Sequence, residues 1–211
     1  MLIIERMILG PVQTNAYLIH DPQTQTTVAI DPAWEGEKIA AFAEQNRWKI
    51  SQVWLTHAHF DHFGGVSGIL KSTSPPPLVA LHPSDLPLWR AQGGAQFFGF
   101  RVESPPEPNL YLRHGQVLRV GEYEVEVRHA PGHTPGHVVF YIPQAEVCFC
   151  GDVIFESGIG RTDLPGGDFE TLMNSIREQI LTLPDQTRLL SGHGEETTVA
   201  QERHHNPWLH W

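Results

Sequence analysis

The sequence predicts a mixed α/β or α+β fold, on three observations. Apolar, β-prone runs recur along the whole chain, other stretches repeat apolar residues at helical spacing, and glycine- or proline-marked turns separate the two kinds. A length of 211 residues fits one domain, taken as 1–211, and 40% apolar content can build a sizeable core.

Residues 2–8 and 15–20 read as two strands joined by a turn at Gly10-Pro11. Asp21-Pro22 makes the next turn, before a strand over Thr27 to Asp31. Within Thr14-Asn15-Ala16-Tyr17, Asn15 is expected to bond backbone close by, and the role of Tyr17 is open. Glu35 to Arg47 is read as a helix whose buried stripe is Ile39, Phe42 and Ala43. Ile50 to Leu55 is a strand, followed after a polar stretch by a short helix around Val66 to Leu70. Pro75-Pro76-Pro77 must lie in a loop. Leu78 to Leu81 is strand-like, and Pro83 to Gln92 is a further helix.

Residues 93–109 differ in character, with Phe97, Phe98 and Phe100 set among glycines and prolines. Two readings stay open: a connection whose rings pack back on the core, or a lid over a site. Gln116 to Val120 and Tyr123 to Val127 form a hairpin around Gly121-Glu122, and Val138 to Ile142 with Val147 to Cys150 another. Asp168 is placed to cap a helix through Leu183, with Leu172, Ile176, Ile180 and Leu183 as its core stripe and Pro184 as its stop. Thr187 to Leu190 is a strand, and Glu195 to His205 a last short helix.

The chemistry concentrates in Thr56-His57-Ala58-His59-Phe60-Asp61-His62-Phe63-Gly64-Gly65, just past a strand. Four side chains that can bind a metal, His57, His59, Asp61 and His62, fall within six residues. Imidazole with carboxylate suits zinc and its first-row neighbours. Three later strands end in the same way, each with a ligand-capable residue beside glycine: His133 in Gly132-His133-Thr134-Pro135-Gly136-His137, Asp152 after Gly151, and His193 between Gly192 and Gly194. Glycine lets backbone approach a crowded centre, and such loops are expected to open on one sheet edge.

These motifs resemble the metallo-β-lactamase superfamily over nearly the whole chain. Thr14-Asn15-Ala16-Tyr17-Leu18, Ile30-Asp31-Pro32, Gly160-Arg161-Thr162-Asp163 and Ser191-Gly192-His193-Gly194 before Asn206-Pro207 narrow the likeness. They are similar to the glyoxalase II branch, the hydroxyacylglutathione hydrolases, in their short single-domain form. The resemblance implies a four-layer αββα sandwich and two divalent metal ions, zinc first, with iron or manganese suiting the same ligands. It assigns His57, His59 and His133 to one ion, Asp61, His62 and His193 to the other, and Asp152 as the bridge. It further implies hydrolysis of a small-molecule thioester, S-lactoylglutathione-like, by a hydroxide held between the ions. Asp61 then has a catalytic duty as well, accepting a proton from that water or orienting it.

The rival within the superfamily is the persulfide dioxygenase type, with one iron on His57, His133 and Asp152. The main zinc class of β-lactamases carries Cys where Asp152 stands, and the oxygen-reducing diiron branch carries Glu at the position of His59. Both therefore fit less well. The longer glyoxalase II enzymes grip glutathione through basic residues in an added C-terminal region. Here 18 residues follow His193 (211 − 193) and hold one Arg, Arg203, so loose glutathione binding is expected.

A net charge of −10 argues against nucleic-acid partners, and mean hydropathy of −0.25 argues against a membrane span. Charge at Glu5 and Arg6 interrupts any signal peptide, so a cytoplasmic setting is expected. Cys148 and Cys150, at i and i+2 of one strand, are expected to be buried and unpaired. Among the other histidines, His20, His204, His205 and His210 are expected to be exposed, His82 and His129 structural, and His114 in a loop. His137 is either a ligand-orienting residue or a hydrogen-bonded structural one, and Arg161 is expected to be structural.

Overall fold

A computed structural model of the chain describes residues 1–209, so the expectation for His210 lies outside the described residues. Six strands form the first sheet in chain order: β1 (Ile3–Leu9), β2 (Thr14–Asp21), β3 (Thr26–Ile30), β4 (Lys49–Trp54), β5 (Leu78–Leu81) and β6 (Leu110–Tyr111). The pairs β1/β2 and β2/β3 are antiparallel, and from β3 to β6 the strands run parallel. The second sheet holds β7 (Val117–Val120), β8 (Tyr123–His129), β9 (Val138–Ile142), β10 (Val147–Gly151), β13 (Arg188–Ser191) and β14 (Thr197–Thr198). A small hairpin, β11 (Ile154–Phe155) with β12 (Gly158–Ile159), stands apart.

Strand periodicity explains how three cores form. In the first sheet Leu18, Ala29 and Val53 face one way, onto the helices α1 (Gly36–Gln45) and α3 (Val66–Ser72). Their neighbours Ile19, Val28, Ile30 and Trp54 face the other way and meet Phe140, Ile142, Val147 and Phe149 of the second sheet. The alternate residues of that sheet, Val139, Tyr141, Cys148 and Cys150, pack under α5 (Phe169–Ser175) and α6 (Val199–His205). The layers therefore run helix, sheet, sheet, helix. Strands covered on both faces need apolar residues at every position, which is why β9 and β10 are buried throughout. Among the described residues no helix is long and apolar enough to cross a membrane.

Several elements differ from expectation. The single helix over Pro83 to Gln92 is replaced by a 3₁₀ turn (Pro83–Asp85), α4 (Leu86–Arg90) and a kinked 3₁₀ stretch (Gln92–Phe98). Pro87 has no N–H to continue the ladder, and Gly93 and Gly94 take φ of 62° and 74°, which no helix allows. The helix from Phe169 gives way to a π turn over Ile176–Ile180, although Asp168 caps it as expected, accepting from the Thr171 N–H at 2.8 Å. Thr197 and Thr198 pair with β13 rather than opening the last helix, which starts at Val199 with Thr198 as its cap. Phe42 is only partly buried, on the edge of its core. His20 is buried, not exposed: it stacks on Trp48 at 4.5 Å and bonds Thr27 Oγ1 at 2.8 Å. Cys148 and Cys150 are buried and free, and His204 and His205 are exposed.

Candidate metal centre

Four strands deliver the site, and they come from both sheets. The turn after β4 carries His57 and His59, and the short helix α2 (Phe60–Phe63) behind it carries Asp61 and His62. The loops after β8, β10 and β13 carry His133, Asp152 and His193. All seven converge. His59 Nδ1 lies 3.0 Å from His57 Nε2 and 2.8 Å from His133 Nε2. On the other side His193 Nε2 is 3.2 Å from Asp61 Oδ2, and His62 Nε2 is 3.7 Å from the same oxygen. Asp152 stands between: its Oδ1 is 3.4 Å from His62 Nε2, and its Oδ2 is 3.5 Å from His133 Nε2 and 3.6 Å from His193 Nε2. The donor atoms fall into overlapping trios, each within 4.8 Å: His57, His59, His133; His57, His62, Asp152; and Asp61, His62, His193.

The outer hydrogen bonds decide which nitrogen faces inward. Asp31, at the end of β3, accepts from the Thr56 N–H at 2.7 Å and from the Thr56 hydroxyl at 2.6 Å. The hydroxyl oxygen is thereby left to accept from His57 Nδ1 at 3.0 Å. Asp31 Oδ2 also takes His62 Nδ1 at 2.9 Å, and the Arg161 carbonyl takes His133 Nδ1 at 2.8 Å. With those protons outside, the inner Nε2 atoms of His57 and His133 present lone pairs, and the inner Nε2 of His62 can do so by giving up its proton to a metal. His62 Nε2 and Asp152 Oδ1 are buried, face each other and have no hydrogen-bond partner. Two electron-rich atoms left unpaired at this depth fit a cation between them.

The electrostatics agree. Burial, then the neighbouring histidines, push His57 well below the ordinary imidazole value, and burial with His133 takes His59 down to about 3. Burial opposes a charge on His62, but Asp152, Asp61 and Asp31 outweigh it and hold its pKa well up. Burial likewise opposes ionisation of Asp61, but His62 and His193 bring it down to about 2, and Asp152 is held well below the carboxylate range by His62 and His193. The ionised carboxylates and the neutral imidazoles of His57, His59 and His133 are in the states a metal takes, and at His62 and His193 the same carboxylates favour a positive charge, which a metal ion would supply in place of the proton.

Further residues hold the loops together, and of these Asp85 and Thr14 had no role in the sequence reading. Asp85 is fully buried and accepts from the Ala58 N–H at 3.0 Å, Thr134 Oγ1 at 2.8 Å and the Gly136 N–H at 2.6 Å, tying the β4 loop to the β8 loop. No sequence signal marks it. Asn15 does not bond nearby backbone: its Nδ2 donates to the carbonyls of Ser191 at 3.0 Å and Gly194 at 2.9 Å, across the molecule, and Tyr17 Oη also donates to Ser191 at 2.7 Å. Thr14 Oγ1 donates to Asp61 Oδ2 at 3.0 Å. His137 is buried, stacks on His57 at 4.7 Å, and its Nε2 accepts from the Asp152 N–H at 3.1 Å, so it positions the Asp152 backbone. Arg161 does not bond a buried group through its side chain: it pairs with Asp163 at the surface, lies 5.9 Å from the Phe98 ring, and serves the site through its carbonyl.

The cluster opens into a cleft of about 390 Å³ walled by Val12, Phe98, Phe155 and Leu164. His193 is the most open of its histidines, with 30% of its side chain exposed. The rings of the 93–109 loop pack back on the core at Phe60, Phe98 among them at 5.6 Å. Phe100 packs inward on Trp34 and Phe60, while Phe98 hangs over the cleft, 42% exposed.

A family model described as the metallo-beta-lactamase superfamily matches residues 9–193. The chain is 41% identical to a probable metallo-hydrolase, YqgX, of Bacillus subtilis, covering 97% of this chain and 96% of that one. It is 36% identical to the hydroxyacylglutathione hydrolase GloC of Haemophilus influenzae, covering 98% and 97%. Among solved structures it is similar to the BLEG-1 B3 metallo-beta-lactamase (TM-score 0.90, 35% identity, 99% and 100% covered). It is also similar to TTHA1623 in a di-iron-bound form (0.89, 39%, 97% and 100%) and to ETHE1 of Myxococcus xanthus (0.79, 27%, 97% and 83%).

Proposed function

Because the chain belongs to the metallo-β-lactamase superfamily, we propose that it is a thioester hydrolase of the hydroxyacylglutathione hydrolase kind. His57, His59 and His133 hold one divalent ion, Asp61, His62 and His193 a second, and Asp152 serves both; zinc is the first choice of metal. The observation that carries this reading is Asp152, whose two oxygens lie within 3.5 Å of a histidine from each trio. A lone ion needs no carboxylate spanning two sets of donors. Such ions supply Lewis acidity and bring the pKa of water toward neutrality. The chain's own groups do the rest. Thr14 fixes the Asp61 carboxylate, which orients the attacking water; its low pKa suits it to orienting more than to storing a proton. Phe98 and Phe155 border the cleft and limit bulk water. Water adds to the acyl carbon, the carbon–sulfur bond breaks, and a carboxylic acid and a thiol leave. The likeness to GloC supports the thioester, with S-lactoylglutathione as the reference substrate.

The likeness to ETHE1 favours a second reading, sulfur oxygenation of the persulfide dioxygenase type with one iron on His57, His133 and Asp152. The test is thioester cleavage by metal-loaded protein under nitrogen, beside an oxygen electrode with glutathione persulfide and a chromogenic cephalosporin. Cleavage without oxygen is expected. Oxygen uptake with no thioester cleavage would reassign the site to sulfur oxidation, and cephalosporin cleavage alone would reassign the leaving group to an amide nitrogen.

A further inference from the structure

A second cavity, of about 380 Å³, adjoins the metal cleft and shares His59, Phe98 and Leu164 with it. Its size is that of a small-molecule site, roughly 300–1,000 Å³. The rest of its wall is mostly apolar, from Pro87, Leu88, Ala91, Phe97, Pro135 and Pro165 with Ser84 and Gln96, and among the described residues no Lys, Arg, Asp or Glu lines it. Among the described residues one guanidinium reaches the metal cleft, Arg161, and it is held by Asp163 through two 2.7 Å bonds. Outside the metal centre itself, a carboxylate-bearing arm therefore meets no unpaired Lys or Arg among the described residues of either cavity, whereas a hydrocarbon arm meets surface it can dehydrate. The backbone shapes this room. Gly93 and Gly94 sit at φ of 62° and 74°, and a Cβ on Gly93 would come within 2.6 Å of Phe60 Cα, so the loop turns away and leaves the cavity beside α4.

We propose that this cavity is a subsite for an uncharged apolar arm of the substrate, reached from the metal centre beneath Phe98. The inference rests on the thioesterase reading and names its substrate class: thioesters carrying a hydrocarbon chain, in preference to those of a charged peptide thiol. The chain enters from the acyl or the thiol side, and one panel separates the two.

The substrates are the octanoyl and acetyl thioesters of N-acetylcysteamine, a small neutral thiol, and the acetyl thioester of octanethiol. Each methylene that enters the cavity raises kcat/KM about fourfold, the equivalent of about 0.8 kcal/mol. One octyl-bearing substrate is expected to exceed acetyl-N-acetylcysteamine by at least about thirtyfold, the return of two to three buried methylenes. Ala91→Trp, which fills the cavity from an exposed position, and Phe97→Ser, which wets its wall, should each cut that ratio about tenfold. Calorimetric titration with the S-octyl and S-ethyl thioethers of N-acetylcysteamine reads the subsite without turnover. Tight octyl binding that Ala91→Trp abolishes upholds the subsite even if no thioester is cleaved, in which case the thioesterase reading alone fails. Equal ratios for all chains, or chain preference unmoved by both variants, overturn the subsite while leaving thioester hydrolysis standing.

Discussion

At Gly192 a methyl group would overlap Asp152 Oδ1 and come within 2.5 Å of His62 Cε1, so this position admits no side chain while the site keeps its shape. Gly192→Ala is therefore expected to fold but to bind metal about 10–100-fold more weakly, the usual cost of disturbing what orients a ligand. Far-UV circular dichroism with a metal-binding titration checks it; unchanged affinity would mean that Asp152 and His62 move freely. The proposed ligands themselves separate by role. Asp152 faces both trios, so Asp152→Ala should lower metal content at both sites, whereas His193 belongs to the trio with Asp61 and His62 alone, so His193→Ala should empty mainly one. Elemental analysis should read near two ions per chain for the parent after loading. A ceiling of one would sink the dinuclear arrangement. The seven candidate donors were legible in the sequence because four fall within six residues and the other three each stand beside a glycine just past a strand. Asp85 was not, since an acid in a proline-rich turn has no pattern until folding sets it under two loops.

Between elements, the cost of that clamp can be measured. Asp85→Ala removes the acceptor of two backbone N–H groups and one hydroxyl, all buried. A loss of about 3 kcal/mol is expected, from the donors left unpaired, and urea denaturation reads it. A cost under about 1 kcal/mol would mean that water replaces the carboxylate. The junction of β5 and β8 carries a pH signature. His82 stacks on His129 at 4.3 Å, and burial, with His129 beside it, takes its pKa down to about 4 from 6.5. Between those values the unfolded chain binds more protons than the native one, so stability falls as pH falls. The contribution of neutral His82 is whole above pH 6.5 and is lost toward pH 4. After allowance for solvent screening it amounts to about 1–2 kcal/mol. His82→Gln should flatten that part of the slope in urea midpoints taken at pH 5 and pH 7. Parallel curves for variant and parent would refute it. Strand edges were mostly legible from periodicity, but the kinked turn after Arg90 was not, because positive φ at Gly93 answers to Phe60 packed against it.

For the whole molecule, the site joins the two sheets: the β4 loop comes from one, and the β8, β10 and β13 loops from the other. A ligand set that exists only when both sheets are stacked binds the native state and not the unfolded one, so metal stabilises the fold by mass action. At a thousandfold excess over Kd each ion is worth about 4 kcal/mol, and a chain of this size shifts by roughly 2–4 °C per kcal/mol. Chelation is expected to lower Tm by about 10 °C or more, with recovery on adding zinc. A Tm indifferent to chelator would show that Asp85, Asn15 and Tyr17 hold the sheets in register unaided.

The sequence by itself determined the donor set, the strands that carry it and the family, because those are local: a His-x-His-x-Asp-His run or a capping Asp168 acts within a few residues of itself. The tertiary structure alone decided the rest. It set which nitrogen of His62 and His133 faces inward, since Asp31 and the Arg161 carbonyl arrive from distant parts of the chain. It turned Asn15 from a turn residue into a tie across the molecule. It also opened a cavity beside the metal cleft, lined by residues as far apart in the chain as His59 and Gly166. Orientation, burial and cavities come from segments distant in the chain packing together, and no window of sequence contains both sides of such a contact.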